Sequence, residues 1–155
     1  MRGLTLKPGE ADSARLEELA EPVMVDGGVL VRMLRVGVCG TDREIIAGEY
    51  GSAPVGEARL ILGHESVGRV EQSPRSSGFS AGDWVVGIVR HPDPVPCSSC
   101  AAGEWDMCTN GRYTEHGIKE RHGFCVEHAS LAPDFLVKVP AQLGPLAEVL
   151  EAACG

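Results

Sequence analysis

Basic residues are in short supply. Lys and Arg number 14 against 22 Asp and Glu, a formal net charge of −8 over 155 residues. That balance argues against a general nucleic-acid surface, because a polyphosphate backbone demands a basic face. It also argues against docking on anionic lipid. Long apolar runs are missing too: Val29 to Val38 is interrupted by Arg32 and Arg35, well short of the ~20 residues that span a bilayer. Lys7, Glu10 and Asp12 stand where a secretory leader would place its apolar segment. No two glycines are spaced as G-x-G, so the phosphate-binding turn of a dinucleotide fold is absent, and without a Gly-Lys pair there is no P-loop. Internal repeats and low-complexity tracts are also lacking. These absences lead to the expectation of a cytoplasmic protein with neither nucleic acid nor membrane as partner.

What the chain does have is punctuation: 20 Gly and 10 Pro divide it into many short segments. Leu4 to Lys7 reads as a strand closed by Pro8-Gly9, and Val29 to Val38 as a β-branched strand after Gly27-Gly28. Thr41 or Asp42 is placed to cap a short helix running to Ala47 and ended by Gly48. Leu60 to Leu62, Val67 to Glu71, Trp84 to Val89, Phe124 to Ser130 and Phe135 to Val139 read as further strands, and Leu143 to Ala153 as a terminal helix. Arg90 to Gly111 has little periodicity and reads as a lobe outside the sheet. The pattern predicts a mainly β barrel or sandwich with a few short helices.

Six cysteines do not predict a disulfide framework here, since a chain of this length buries enough surface to fold without bridges. Close thiols then point to metal or chemistry. Cys97, Cys100 and Cys108 form the close set, while Cys39, Cys125 and Cys154 stand apart. Three further stretches carry chemistry: Cys39-Gly40-Thr41-Asp42, Gly63-His64-Glu65, and Glu148. Thiolate, imidazole and carboxylate are the ligand types of a catalytic zinc, where three protein groups leave a fourth position open. Taken singly, each residue also fits a plainer role: a small buried thiol, or a satisfied His–Glu pair.

Longer blocks surround these residues. Gly63-His64-Glu65-Ser66-Val67-Gly68 resembles the G-H-E-x-x-G signature of the zinc-containing medium-chain dehydrogenases, and Val36-Gly37-Val38-Cys39-Gly40-Thr41-Asp42 resembles their other strong block. Within that superfamily the chain looks most like the glucose 1-dehydrogenase branch. The residues that carry this are Cys39 to Ile45, Gly48-Glu49-Tyr50-Gly51, Val89-Arg90-His91-Pro92, Asp106-Met107-Cys108 and Tyr113 to Lys119. The similarity runs from about Leu4 to Glu148.

The resemblance implies a GroES-like β-barrel catalytic domain over 1–148 with a lobe at 90–112, followed by a divergent tail at 149–155. It implies zinc on Cys39, His64 and Glu148, with Glu65 tuning or exchanging into the ligand set. Thr41 would pass the substrate proton and touch the substrate, and Glu115 would line a sugar pocket. The reaction implied is oxidation of a sugar or polyol hydroxyl, with NAD or NADP as hydride acceptor in a full-length enzyme. Full-length members are expected to be homo-oligomers. Alcohol, sorbitol and threonine dehydrogenase substrates are the alternatives, and a zinc-binding barrel without catalysis is the alternative from another class.

The chain also departs from the family pattern. Val149 stands where the family has Pro after the ligand Glu, and Pro74 where the wider signature prefers Gly or Ala. No cofactor-binding residue is assigned and the Rossmann domain is absent, so the chain reads as an amino-terminal piece not expected to oxidise glucose alone. The family's structural-zinc lobe reads C-x2-C-x2-C-x7-C. Cys97, Cys100 and Cys108 match its last three positions, and the first falls on Pro94. Adjacent Asp93 is the expected substitute ligand, with His91 and Asp106 as weaker ones, and a metal-free loop of buried thiols is the alternative. His122 and His128 are expected to be surface or strand-packing residues, Cys125 and Trp84 core, and Glu17, Glu18 and Glu21 a solvated face.

Overall fold

Residues 1–143 are described in a computed structural model of the chain. Its strands are β1 (Arg2–Leu6), β2 (Arg15–Glu18), β3 (Val29–Gly37), β4 (Leu60–Ile61), β5 (Glu65–Gln72), β6 (Trp84–Gly87), β7 (Arg90–His91), β8 (Thr114–His116), β9 (Glu120–Arg121), β10 (His128–Leu131) and β11 (Leu136–Val139). Two short helices, α1 (Gly40–Ile46) and α2 (Ser98–Ala101), interrupt them. A five-stranded antiparallel sheet of order β10-β3-β5-β6-β11 forms the largest layer, beside three-stranded sheets β2-β1-β4 and β7-β8-β9. Period-two burial along β3 places Val29 and Val31 inside, where they meet Val70, Val85, Phe124, Leu131 and Leu136. A second core joins Leu6, Ile45, Leu60, Leu62, Val89 and Ile118, so α1 is held on its sheet by Ile45.

Several expectations need correction. Helix α1 is capped by Cys39, not by Thr41 or Asp42. Cys39 holds the extended backbone of an N-cap, and Asp42, at the third helical position, accepts its N–H at 2.9 Å. Arg90 to Gly111 is not wholly outside the sheets, because Arg90 and His91 pair with Glu115 and Thr114. Trp84 is only half-buried, packed against the small cluster of Val67, Val86 and Val139. Within the acidic segment Glu17 is not simply solvated: it belongs to β2, and its Oε2 lies 2.8 Å from Arg59 Nε. Strand β10 begins at His128, because Phe124 to Val126 instead bond across to Gly63, Leu62 and the β1 region. Beyond its first residue, the expected helix over Leu143 to Ala153, with Glu148, lies outside the described residues, as does Cys154. Among the described residues no helix is long and apolar enough to cross a membrane.

Candidate metal centre

Strands β3 and β5 run antiparallel with Gly37 opposite Glu65. That register brings the end of one strand, with the helix cap after it, against the start of the other. Cys39 Sγ therefore lies 3.1 Å from His64 Nε2, across 25 positions of sequence. Glu65 Oε1 is 3.8 Å from the same nitrogen. One donor atom from each of Cys39, His64 and Glu65 falls within 4.8 Å of the others. His64 is buried; Cys39 and Glu65 are half-buried.

Glycines make this approach possible. A Cβ at Gly37 would collide with Glu65 Oε2, so the missing side chain is the space the carboxylate fills. Gly63 sits at φ +94, a conformation that disfavours a side chain, and a Cβ there would lie 2.6 Å from Cys125 Sγ. Phe124 N–H donates to Gly63 O at 2.9 Å and Cys125 N–H to Leu62 O at 2.8 Å, which fixes the backbone just before His64.

Asp42 is the residue the sequence reading undervalued. It is fully buried, with Oδ2 on the Cys39 N–H and Oδ1 3.4 Å from His64 Nδ1. The Asp42 carboxylate beside Nδ1 pushes the His64 imidazole up to about 9 against the opposing effect of burial. Burial works against the Asp42 carboxylate, but the nearby His64 ring and the hydrogen bond from the Cys39 N–H hold its carboxyl below the usual range. A carboxylate on Nδ1 fixes the ring and leaves Nε2 facing Cys39 and Glu65, the way proteins orient a metal-ligating histidine. Sulfur, nitrogen and oxygen donors at this separation fit zinc. The sequence signals for Asp42 were its place in the block around Cys39 that resembles the family and its position three residues after Cys39 in a first helical turn. Thr41 occupies that same turn, half-buried. Glu148 lies outside the described residues.

The lobe assembles a second thiol group. Cys97 caps α2, Cys100 is buried within it, and Cys108 closes the turn Trp105–Met107. Their three sulfurs lie within 4.8 Å, with Cys97 and Cys100 3.6 Å apart. N–H groups of Cys100 and Thr109 draw the Cys97 thiol down to about 6. Asp93 is buried and accepts the Val95 N–H at 2.7 Å on Oδ1, while Oδ2 faces Arg112 Nε at 3.4 Å without a hydrogen bond. His91 belongs elsewhere: its Nε2 is 3.0 Å from His116 Nε2 and its ring stacks on Phe135. Asp106 offers its backbone carbonyl to Arg90.

The remaining expected residues are placed as follows. Glu115 is buried on β8. His122 takes the Ile61 N–H on Nδ1 and lies 2.9 Å from Glu57 on Nε2, and His128 sits between Glu21 and Glu71. Cys125 is partly buried against the second core, and burial pushes its thiol up to about 11.

The family model of the alcohol dehydrogenase GroES-like domain matches residues 25–141. The glucose 1-dehydrogenase of Methanocella arvoryzae is 42% identical over 152 residues, covering 97% of this chain and 42% of that protein. That of Thermoproteus tenax is 43% identical over 152 residues, with the same shares of each. The Haloferax mediterranei glucose dehydrogenase in complex with NADP, Zn and gluconolactone superposes with a TM-score of 0.83 at 38% identity, over 95% of this chain and 41% of that one. The alcohol dehydrogenase of Aeropyrum pernix superposes with a TM-score of 0.72 at 25% identity, over 95% and 44%. The chain thus spans about two fifths of the length of these relatives, 42% in both curated cases.

Proposed function

The chain belongs to the alcohol dehydrogenase GroES-like domain family, and from that premise we propose that it is the zinc-binding catalytic part of an NAD(P)-dependent dehydrogenase oxidising a sugar or polyol hydroxyl. Glucose is the substrate its relatives' names suggest. The observation that carries the reading is the Cys39–His64–Glu65 donor triangle with Asp42 behind the imidazole.

Cys39, His64 and Glu65 would hold the zinc, and Glu148 is assigned to the same ion by the family resemblance. Bound zinc supplies Lewis-acid stabilisation of a developing alkoxide. Thr41, two positions after Cys39, is assigned the transfer of the substrate's hydroxyl proton toward solvent. Glu115 accepts hydrogen bonds from sugar hydroxyls. Cys97, Cys100 and Cys108 hold a second, structural zinc, and Asp93, beside the Pro94 that stands at the first ligand position, is its fourth ligand once released from Arg112. The catalytic unit covers 1–148 with its lobe at 90–112. The nicotinamide acceptor is held by protein outside this chain, as the longer relatives suggest. Free thiols at all five described cysteines suit a reducing cytoplasm.

Elemental analysis and turnover test this reading together. The chain is expected to carry two zinc ions, and Cys39→Ser or His64→Ala to carry one. Joined to the nicotinamide-binding part of a relative, it is expected to reduce NAD(P) in a glucose-dependent way. A chain that takes up no metal would overturn the proposal.

A further inference from the structure

Away from the two donor clusters and Asp42, the sheet of β7, β8 and β9 buries a charged group, Glu115. It is 7% exposed, on β8, directly opposite Arg90 of β7. Arg90 donates to it twice, from Nε at 2.9 Å and Nη2 at 2.8 Å, and both bonds land on one oxygen, Oε1. Among the described residues no hydrogen bond reaches Oε2. The usual arginine–carboxylate fork engages both oxygens, so this geometry is a one-sided hold.

Arg90 is itself held on two further sides. Its Nη1 donates to Asp106 O at 3.0 Å, and its guanidinium lies 4.2 Å over the Tyr113 ring, which also takes Lys119 Nζ at 4.1 Å. The Glu115 backbone is equally fixed, with its N–H on Lys119 O at 2.8 Å and its carbonyl taking the Lys119 N–H at 2.9 Å. Two residues on, Gly117 packs so closely that a Cβ would strike Gly63, the residue before His64. Glu115 and the metal-site histidine therefore hang from one rigid backbone contact.

We propose that Arg90 is a positioning residue for polyol recognition, fixing the buried Glu115 carboxylate through Oε1 so that Oε2 is presented to substrate hydroxyls. The inference rests on the reading of this chain as a sugar or polyol dehydrogenase domain. An ionised carboxylate only accepts hydrogen bonds, so the presented oxygen selects hydroxyl donors and disfavours an anionic sugar acid. Arginine serves here where lysine does not, since a planar fork spans Glu115 and the Asp106 carbonyl while stacking on Tyr113.

The test is binding of glucose, with glucuronate as the anionic control, followed by 1H–15N NMR on the wild-type chain, Arg90→Lys, Arg90→Gln and Glu115→Gln. Wild type is expected to show saturable glucose shifts at Glu115 and Lys119 and weaker binding of glucuronate. Arg90→Gln is expected to bind glucose about tenfold or more weakly, the size of one lost charge-assisted interaction, and Arg90→Lys to fall between. Thermal unfolding is recorded for each variant, because a purely structural ion pair would lower the melting temperature and leave affinity unchanged. If Glu115→Gln loses glucose binding while Arg90→Gln keeps it, the Arg90 inference is wrong and the polyol reading stands. If Arg90→Gln does not fold, wild-type affinity in Arg90→Lys overturns the inference. If wild type shows no glucose-dependent shift, both fall together.

Discussion

The two thiol-bearing centres are built by opposite means. Cys97, Cys100 and Cys108 meet through local chain geometry: a cap, one turn of helix and a 3-10 turn, all inside the segment 97–108. Cys39, His64 and Glu65 meet only because β3 and β5 pair in one register, with a glycine opposite the carboxylate and a buried aspartate behind the ring. A local cluster can be assembled in a loop with little core. A long-range cluster is as rigid as the sheet beneath it, so damage to that sheet and damage to the site are coupled.

Asp42 is where the coupling is strongest. Its removal in Asp42→Ala takes the acceptor from the part-buried Cys39 N–H and the neighbouring carboxylate from the buried His64 ring. We expect a stability loss of ~1–3 kcal/mol from the uncompensated buried polar groups and a zinc affinity about 10–100-fold weaker at the first centre. Denaturant unfolding and chelator competition measure the two. Unchanged zinc affinity would separate Asp42 from the metal site and leave it only a helix-capping role.

Gly37→Ala should have the next largest effect. The added methyl occupies the volume of Glu65 Oε2, so either the carboxylate swings away or β3 and β5 separate. A cost of ~1–3 kcal/mol is expected, as for other overpacked sites, with altered zinc uptake at the first centre and none in the lobe. Equal loss from both centres, read by elemental analysis beside Cys100→Ser, would contradict the independence of the two regions.

Legibility followed the same division. Cys39, His64 and Glu65 could be named from the sequence because their blocks resemble a known pattern, and the three lobe cysteines from their spacing. Asp42 was legible as a helix cap and as part of the family-like block, but not as the carboxylate behind His64, since its total burial is decided by how α1 lands on its sheet. Nothing in the sequence reading told that Gly37 faces Glu65, which depends on cross-strand register. The long apolar strands were visible through their composition. Strands β7 and β9 have two residues each and β8 three, all rich in charged or polar groups, and were too short to leave a period. That sheet exists because Arg90–Glu115 and the His91–His116 pair hold it together.

The His91–His116 pair gives a smaller, pH-dependent effect. His116 Nδ1 lies 2.6 Å from His122 O and must donate there, so its Nε2 accepts the His91 Nε2 proton at 3.0 Å. Both rings are therefore neutral in the fold. Burial foremost holds His91 down at about 3 and His116 at about 4. The unfolded chain takes up these protons near pH 6.5, so below that value the unfolded state binds more protons than the folded one and stability falls with pH. The loss begins near the unfolded value and ends only below the folded values of about 4 and about 3. Urea unfolding at pH 7 and pH 5 measures it, and His116→Gln should flatten the difference. A wild-type curve already flat between those two pH values would show the rings to be solvated.

The smallest expected effect is Cys100→Ser in the lobe. The substitution removes one of three clustered thiols and replaces a buried sulfur with a hydroxyl of similar shape. If the lobe holds zinc, content should fall from two ions per chain to one, because three remaining donors at most, Asp93 included, do not close a tetrahedral structural site. The first centre should keep its ion, since Cys39, His64 and Glu65 form a donor group separate from the lobe thiols among the described residues and their scaffold is the β3–β5 pair. The melting temperature should move by only a few degrees, as the lobe contributes Cys100 alone to the buried apolar residues between 90 and 112. Two ions in both proteins would show that Cys100 is not a required ligand, and one ion in both would leave the lobe as a metal-free loop of thiols. Loss of both ions would mean that the local cluster and the sheet-built one depend on each other, against the division of labour drawn between them.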